Sequence, residues 1–165
     1  MDWEAYQRLV RRACFVCELL AGNPDYPHHV VYRDAATVAF LSRFPWWPGH
    51  LLVAPVTHVE DVVAVDLAQY LAVQRVVHAA GQALVAEVET ERLYVLSLGS
   101  RQGSRQGNRH VHWHLVPLPP GVPYEQQQVT ALAPERGYLD IPDRAQADLA
   151  TRLRLRMTSD PAAGS

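Results

Sequence analysis

The segment RHVHWHLVP, Arg109 to Pro117, carries a histidine at every second position. That period belongs to a β-strand, whose side chains at i, i+2 and i+4 share one face. His110, His112 and His114 therefore lie on one side, and Val111, Trp113 and Leu115 on the other. The apolar set calls for burial against a helix, which turns the imidazoles towards a cleft or solvent. At about 3.3 Å per residue, the outer two histidines stand roughly 13 Å apart along an ideal strand. A metal ion approaches each ligand nitrogen to about 2 Å, so one ion cannot readily hold all three. Neighbouring pairs, or one histidine with ligands from elsewhere, remain open. An imidazole not spent on a metal can act as nucleophile, acid or base near neutral pH.

The surrounding chain narrows these options. Its 165 residues are 48% hydrophobic, enough for one domain with a core. Fifteen basic residues against 17 acidic ones give no electrostatic case for specific nucleic-acid binding or an anionic membrane surface. The N-terminal MDWEAYQRLVRR lacks a signal-peptide core, and the apolar runs are too short to cross a bilayer. The reading is therefore cytoplasmic. Cys14 and Cys17 form the lone Cys-x-x-Cys, a spacing that in such a chain indicates metal or redox use more than a structural disulfide.

A pass along the chain predicts an α+β domain of antiparallel strands with a long helix. An N-terminal helical segment ends at Gly22, and NPDYPHH is a loop. Val30–Tyr32 and Thr37–Leu41 make a hairpin about Asp34; after the PWWPGH turn, LLVAP is a short strand. Helical spacing from Asp66, an N-cap, to Glu87 marks the longest helix. RLYVLSLG is the next strand, followed by a glycine-rich loop with Ser-Arg-Gln-Gly repeated in tandem. The triad strand is expected to lose its pairing at Pro117. The segment from Pro119 to Leu139 reads as mostly irregular, residues 143–157 as a polar C-terminal helix, and 158–165 as a fraying tail. No linker divides residues 1–165. The glycines Gly99, Gly103 and Gly107, with Arg101, Arg105 and Arg109 beside them, offer backbone N–H groups and positive charge to an anion.

His110-Val111-His112-Trp113-His114-Leu115-Val116 resembles the signature of the histidine triad (HIT) superfamily. CFVCELLAG is similar to that family's Cys-x-x-Cys segment, VAFLSRFPWWPGHLLVAPVTH to its strand–turn–strand with Pro-Gly-His, and SRQGNRHVHWH to its phosphate loop and triad. The likeness covers a core of about residues 14–120. SRFPWWPGHLLVAP looks nearer the fragile-histidine-triad and dinucleoside-polyphosphate branch than the phosphoramidase branch. The resemblance implies a five-stranded antiparallel sheet, usually in a homodimer that joins sheets edge to edge. It implies a nucleotide hydrolase or nucleotidyl transferase, attacking the α-phosphate of a dinucleoside polyphosphate or nucleoside phosphoramidate. His112 would be the nucleophile and form a covalent nucleotidyl-histidine. His114 would contact the phosphate and help the leaving group, His50 would support the triad, and Gln106 would touch the phosphate or the bridging atom.

The same resemblance implies a structural zinc ion held by Cys14, Cys17, His58 and His110, a closed set of two thiolates and two imidazoles. Three positions depart from the family pattern. Gly107 stands where many relatives have a hydroxyl donor, Ser42 at the ribose-contacting position in place of Asp or Asn, and Ser97 where Asn is frequent. Trp46 and Trp47 are candidates for stacking on a base, or for packing in the core or a dimer. His28, His29 and His78 read as structural. Other readings stay open: a zinc-dependent hydrolase with a catalytic metal on His110 and His112, a nucleotide-binding module without turnover, or a HIT fold turned to another small-molecule pathway.

Overall fold

The computed structural model describes residues 13–98, 109–132 and 137–159. Strands β1 (Val30–Arg33), β2 (Thr37–Leu41), β3 (Leu51–Pro55), β4 (Arg92–Leu96) and β5 (Trp113–Leu118) form one sheet in the order β1-β2-β3-β5-β4. All four pairings are antiparallel. Among the described residues three α-helices accompany it: α1 (Phe15–Leu20), α2 (Leu67–Glu87) and α3 (Asp143–Ser159). This is the five-stranded α+β arrangement expected from the sequence.

Local chemistry accounts for the elements. The hairpin turns at Asp34, whose carboxylate accepts from the N–H groups of Ala36 at 2.8 Å and Thr37 at 2.6 Å. The Asp66 carboxylate caps α2 by accepting from Ala68 N at 2.9 Å and Gln69 N at 3.3 Å. Helix α2 then lays Val73, Val76, Val77, Ala80, Ala83 and Leu84 on Ala39, Leu41, Leu51, Val53, Trp113 and Leu115 of the sheet. From α3, Ala150, Leu153 and Met157 complete this layer. The opposite face belongs to α1: Val16, with Phe15 and Leu19, covers Val38, Phe40, Leu52 and Ala54. Strands β2 and β3 are buried on both sides, which explains their unbroken apolar runs. Each fully buried Val, Leu or Phe here contributes about 1.5–3 kcal/mol.

Two expectations need correction. Regular strand geometry begins at Trp113, not His110; His110 to His112 approach the sheet as irregular chain, tied by Val111 N–H to Val59 O at 2.8 Å. Pro117 does not end the pairing, because β4 continues beside it with Leu93 opposite Pro117 and Arg92 opposite Leu118. On its other side β5 has already passed the end of β3, whose register stops at Leu51 opposite Leu115. A proline fits a strand where it is paired on one side only. Ser97 and Leu98 lie beyond the end of β4, and the described residues after Pro119 include the 3-10 turns Tyr124–Gln126 and Gln128–Leu132.

Candidate active site and metal centre

Register decides where the histidines go. Leu52 lies opposite His114 across β3 and β5, so His114 points to the α1 side while Trp113 and Leu115 face α2. His50, two residues before Leu52, reaches the same side at the entrance to β3. The two rings meet there, with His50 Nε2 2.9 Å from His114 Nδ1. The turn from β2 to β3 holds this position through Ser42 N–H to His50 O at 2.8 Å and His50 N–H to Trp47 O at 3.1 Å. Gly49 makes the turn possible: its φ is +81°, and a Cβ there would lie 3.0 Å from Val88 Cγ2 and 3.1 Å from Leu84 Cδ1.

Backbone partners assign the tautomers. Trp46 N–H donates to His50 Nδ1 at 3.2 Å, so neutral His50 carries its proton on Nε2 and donates to His114 Nδ1. His114 must then carry its proton on Nε2, which is buried and has no partner among the described residues. His112 is set the other way round. Its Nδ1 lies 2.6 Å from the carbonyl oxygen of His110, so Nδ1–H donates and Nε2 keeps a lone pair. The His112 and His114 rings lie 4.8 Å apart. A free imidazole lone pair therefore stands beside an unspent N–H donor. Burial holds these histidines neutral: it pushes His114 down to about 2, helped by His112 and His50, and His50 to about 3, helped by His112. His112 is lowered by burial, which its bond to the His110 carbonyl partly opposes.

His110 turns away from this pair. Its Nε2–H donates to Pro55 O at 2.8 Å, and Nδ1 lies 3.3 Å from Cys14 Sγ and 3.8 Å from Cys17 Sγ. Cys17 Sγ is also 3.4 Å from His58 Nδ1. The ligand atoms of Cys14, Cys17, His58 and His110 all lie within 4.8 Å of one another. A tetrahedral zinc with sulfur at about 2.3 Å and nitrogen at about 2.0 Å sets sulfur–nitrogen edges near 3.5 Å, so the donor set fits that ion. Burial lowers His110 to about 4, leaving it neutral as a ligand must be, and raises the Cys14 thiol to about 12. A half-buried thiol raised this far ionises only with a cation beside it. His112 is not among the four converging donors, which disfavours a metal shared by His110 and His112.

The remaining candidates are spread unevenly. The Ser42 hydroxyl accepts from Phe44 N–H at 3.2 Å within the turn, and Ser97 Oγ is buried without a partner among the described residues. Gln106 and Gly107 lie outside the described residues. Sequence reasoning missed an aromatic cluster beside the triad: Phe15 meets His112 edge-on at 5.5 Å, and His28 meets Phe40 edge-on at 5.1 Å. No local pattern marks His28, because its role comes from a contact between distant segments. Trp46 stacks on His50 and His114. Trp47 donates its indole N–H to Ala131 O at 2.9 Å.

His112 and His114 thus stand side by side, while His110 turns to two cysteines. The HIT domain pattern matches residues 23–120, and the chain belongs to the HIT (histidine triad) family. An uncharacterised HIT-like protein of Saccharolobus solfataricus is 35% identical over 109 residues, 63% of this chain and 73% of the relative. A hypothetical histidine triad nucleotide-binding protein from Sulfolobus tokodaii has a similar structure, with a TM-score of 0.67 at 22% identity over 87% of this chain and 91% of that one. A zinc-bound histidine triad family protein from Mycobacterium smegmatis has a TM-score of 0.66 at 22% identity, over 87% and 92% of the two chains.

Proposed function

We propose that the protein is a nucleotidyl hydrolase or transferase that cleaves dinucleoside polyphosphates at an α-phosphate through a covalent intermediate on His112. The observation that carries this reading is the 2.6 Å bond from His112 Nδ1–H to the His110 carbonyl, which leaves Nε2 as a nucleophile. In the first step the Nε2 lone pair forms a bond to the α-phosphorus, and the bond from phosphorus to the bridging oxygen breaks. The positive charge gained by the His112 ring rests against that carbonyl. The leaving nucleoside polyphosphate departs as an oxyanion that accepts the Nε2–H of His114. In the second step water attacks phosphorus, the phosphorus–Nε2 bond breaks, and the proton of the water passes to solvent. Where inorganic phosphate replaces water, the same intermediate yields a nucleoside diphosphate.

The histidine pair supports an anionic leaving group over an amine. Both Nδ1 atoms accept, so the His50–His114 pair offers a hydrogen bond and not a readily transferred proton. A polyphosphate leaves without protonation, whereas the amine of a phosphoramidate does not. Gln106 and Gly107 serve the phosphate, and Ser42 and Ser97 border the nucleoside. A zinc ion on Cys14, Cys17, His58 and His110 is structural in this reading: it fastens the α1 segment to the approach of β5. The nucleotide-binding name of the Sulfolobus tokodaii protein and the bound zinc of the Mycobacterium smegmatis protein support these assignments by analogy. The working unit is a homodimer joined through β4. That strand is an edge of the sheet, with exposed Val95 beside Val85 of α2.

A product-resolved panel tests this. It contains diadenosine tri- and tetraphosphates and an adenosine phosphoramidate, with and without inorganic phosphate, for wild type and His112→Ala. Wild type releases a nucleoside monophosphate in water and turns over the polyphosphates fastest. His112→Ala loses on the order of 10⁴-fold or more in kcat while retaining its fold. Near-normal turnover by His112→Ala would refute the covalent route.

A further inference from the structure

The chemistry above uses His50 and His114 but leaves the residue lying across both unexplained. The Trp46 indole stacks on His50 with ring centroids 4.7 Å apart and planes 18° from parallel. It stacks on His114 at 5.0 Å and 21°. The backbone N–H of the same residue donates to His50 Nδ1 at 3.2 Å. One residue therefore constrains the pair twice, its main chain choosing the protonated nitrogen and its ring setting the plane of both imidazoles. The indole Nε1 is buried without a partner among the described residues, so the ring is held there by its face and not by its N–H. The turn beneath it cannot yield easily, because Gly49 packs against Val88, Leu84 and Pro117.

We infer that Trp46 is a positioning residue for nucleotidyl transfer: stacked on His50 and His114, it aims the Nε2–H of His114 at the atom that leaves phosphorus. This rests on the function proposed above. Rotation of the His114 ring about its side-chain bonds is the motion that would spoil the donor's aim. A flat aromatic surface across both rings opposes that motion, and an aliphatic side chain of similar bulk does not. The cost of misaim grows with the charge on the leaving atom, because the hydrogen bond is worth most where charge develops.

The test compares Trp46→Phe and Trp46→Leu with wild type on adenosine 5′-phosphate aryl esters whose phenols span a wide range of acidity, with His114→Ala as reference. Trp46→Phe retains most of the activity. Trp46→Leu loses at least about 30-fold in kcat on the least acidic phenol, little on 4-nitrophenol, and shifts KM by less than about threefold. Its leaving-group dependence steepens towards that of His114→Ala. A uniform loss across the series, a change confined to KM, or a Leu variant equal to wild type would overturn the inference.

A second measurement does not need turnover. Long-range proton–nitrogen NMR spectra of the folded proteins report the imidazole tautomers directly. All three proteins show His50 and His114 protonated on Nε2, because the main-chain N–H of residue 46 survives each substitution, while nitrogen relaxation reports a more mobile His114 ring in Trp46→Leu alone. A His114 ring as rigid in folded Trp46→Leu as in wild type rejects the positioning role. An inactive wild type with the expected spectra sinks the enzymatic reading and, with it, the catalytic purpose assigned to the stack.

Discussion

Single residues in this protein take their roles from the backbone groups that face them. His110, His112 and His114 are chemically identical, yet one is set by Pro55 O, one by His110 O and one by a chain of donors from Trp46 N. Burial of the neutral pair has a consequence for stability. His50 and His114 are lowered to about 3 and about 2, so below the ordinary histidine value near 6.5 the unfolded chain binds protons that the folded one refuses. Stability therefore falls as pH drops from about 6.5, by up to about 1.4 kcal/mol per pH unit per histidine, and levels off only below the folded values. Urea unfolding at pH 7, 6 and 5 checks this: the slope is shallower for His50→Asn than for wild type. At Gly49 the constraint is steric. Gly49→Ala meets both a left-handed φ of +81° and Val88 Cγ2 at 3.0 Å, so a loss of roughly 1–3 kcal/mol is expected in the same assay.

At the scale of elements, the question is what fastens the helices to the sheet. Helix α1 has six residues, too short to persist alone, and its apolar contacts are reinforced by the cysteines at its start. Cys14 caps it by accepting from Cys17 N–H at 3.5 Å, while Cys14 and Cys17 both face His110. One zinc per chain is expected by metal analysis of wild type, and none in the double variant Cys14→Ser, Cys17→Ser. Chelation should lower the melting temperature and raise proteolysis near α1; an unchanged melt would remove the structural role. Helices α2 and α3 are linked differently, by Glu87 with Arg156 and Arg152. The Arg156 contact, then Arg152, holds this carboxyl below its usual range. A depressed carboxylate stabilises above its unfolded value and loses that contribution as pH falls through the folded one. Glu87→Gln should therefore melt earlier than wild type at pH 7, with the difference closing under acid conditions.

The whole molecule poses the question of its unfinished edge. Strand β1 is covered by α3, whose Arg154 donates to Val30 O at 2.9 Å, whereas β4 closes the other side of the sheet. A cavity of about 400 Å³ runs beside β4, lined by Gln74, Val77, Gly81 and Val85 of α2 and by Leu93 and Val95. An edge strand with no neighbour among the described residues, flanked by apolar side chains, invites a second copy. Val95→Lys should shift the mass in sedimentation equilibrium from dimer towards monomer while the circular dichroism stays unchanged. A wild type that is monomeric at high concentration would remove the dimer. Among the described residues no helix is long and apolar enough to cross a membrane.

The local patterns were legible because each rests on short-range physics. Alternation in VHWHL announced which side chains share a face, Asp66 its cap, and Asp34 its turn, since those bonds close within a few residues. Misreadings fell where a neighbour decides. Pro117 looks like a strand end until β4 is seen to pair beyond it, on the one side where its absent N–H does no harm. His110 looks like the first residue of a strand until Val59 is seen to hold the approach. Chain order thus determined the residue types, their faces and the family they belong to. Tertiary structure alone decided which nitrogen of each imidazole bears the proton and that Trp46 lies across two of the rings, because those choices are made by groups far away in the chain.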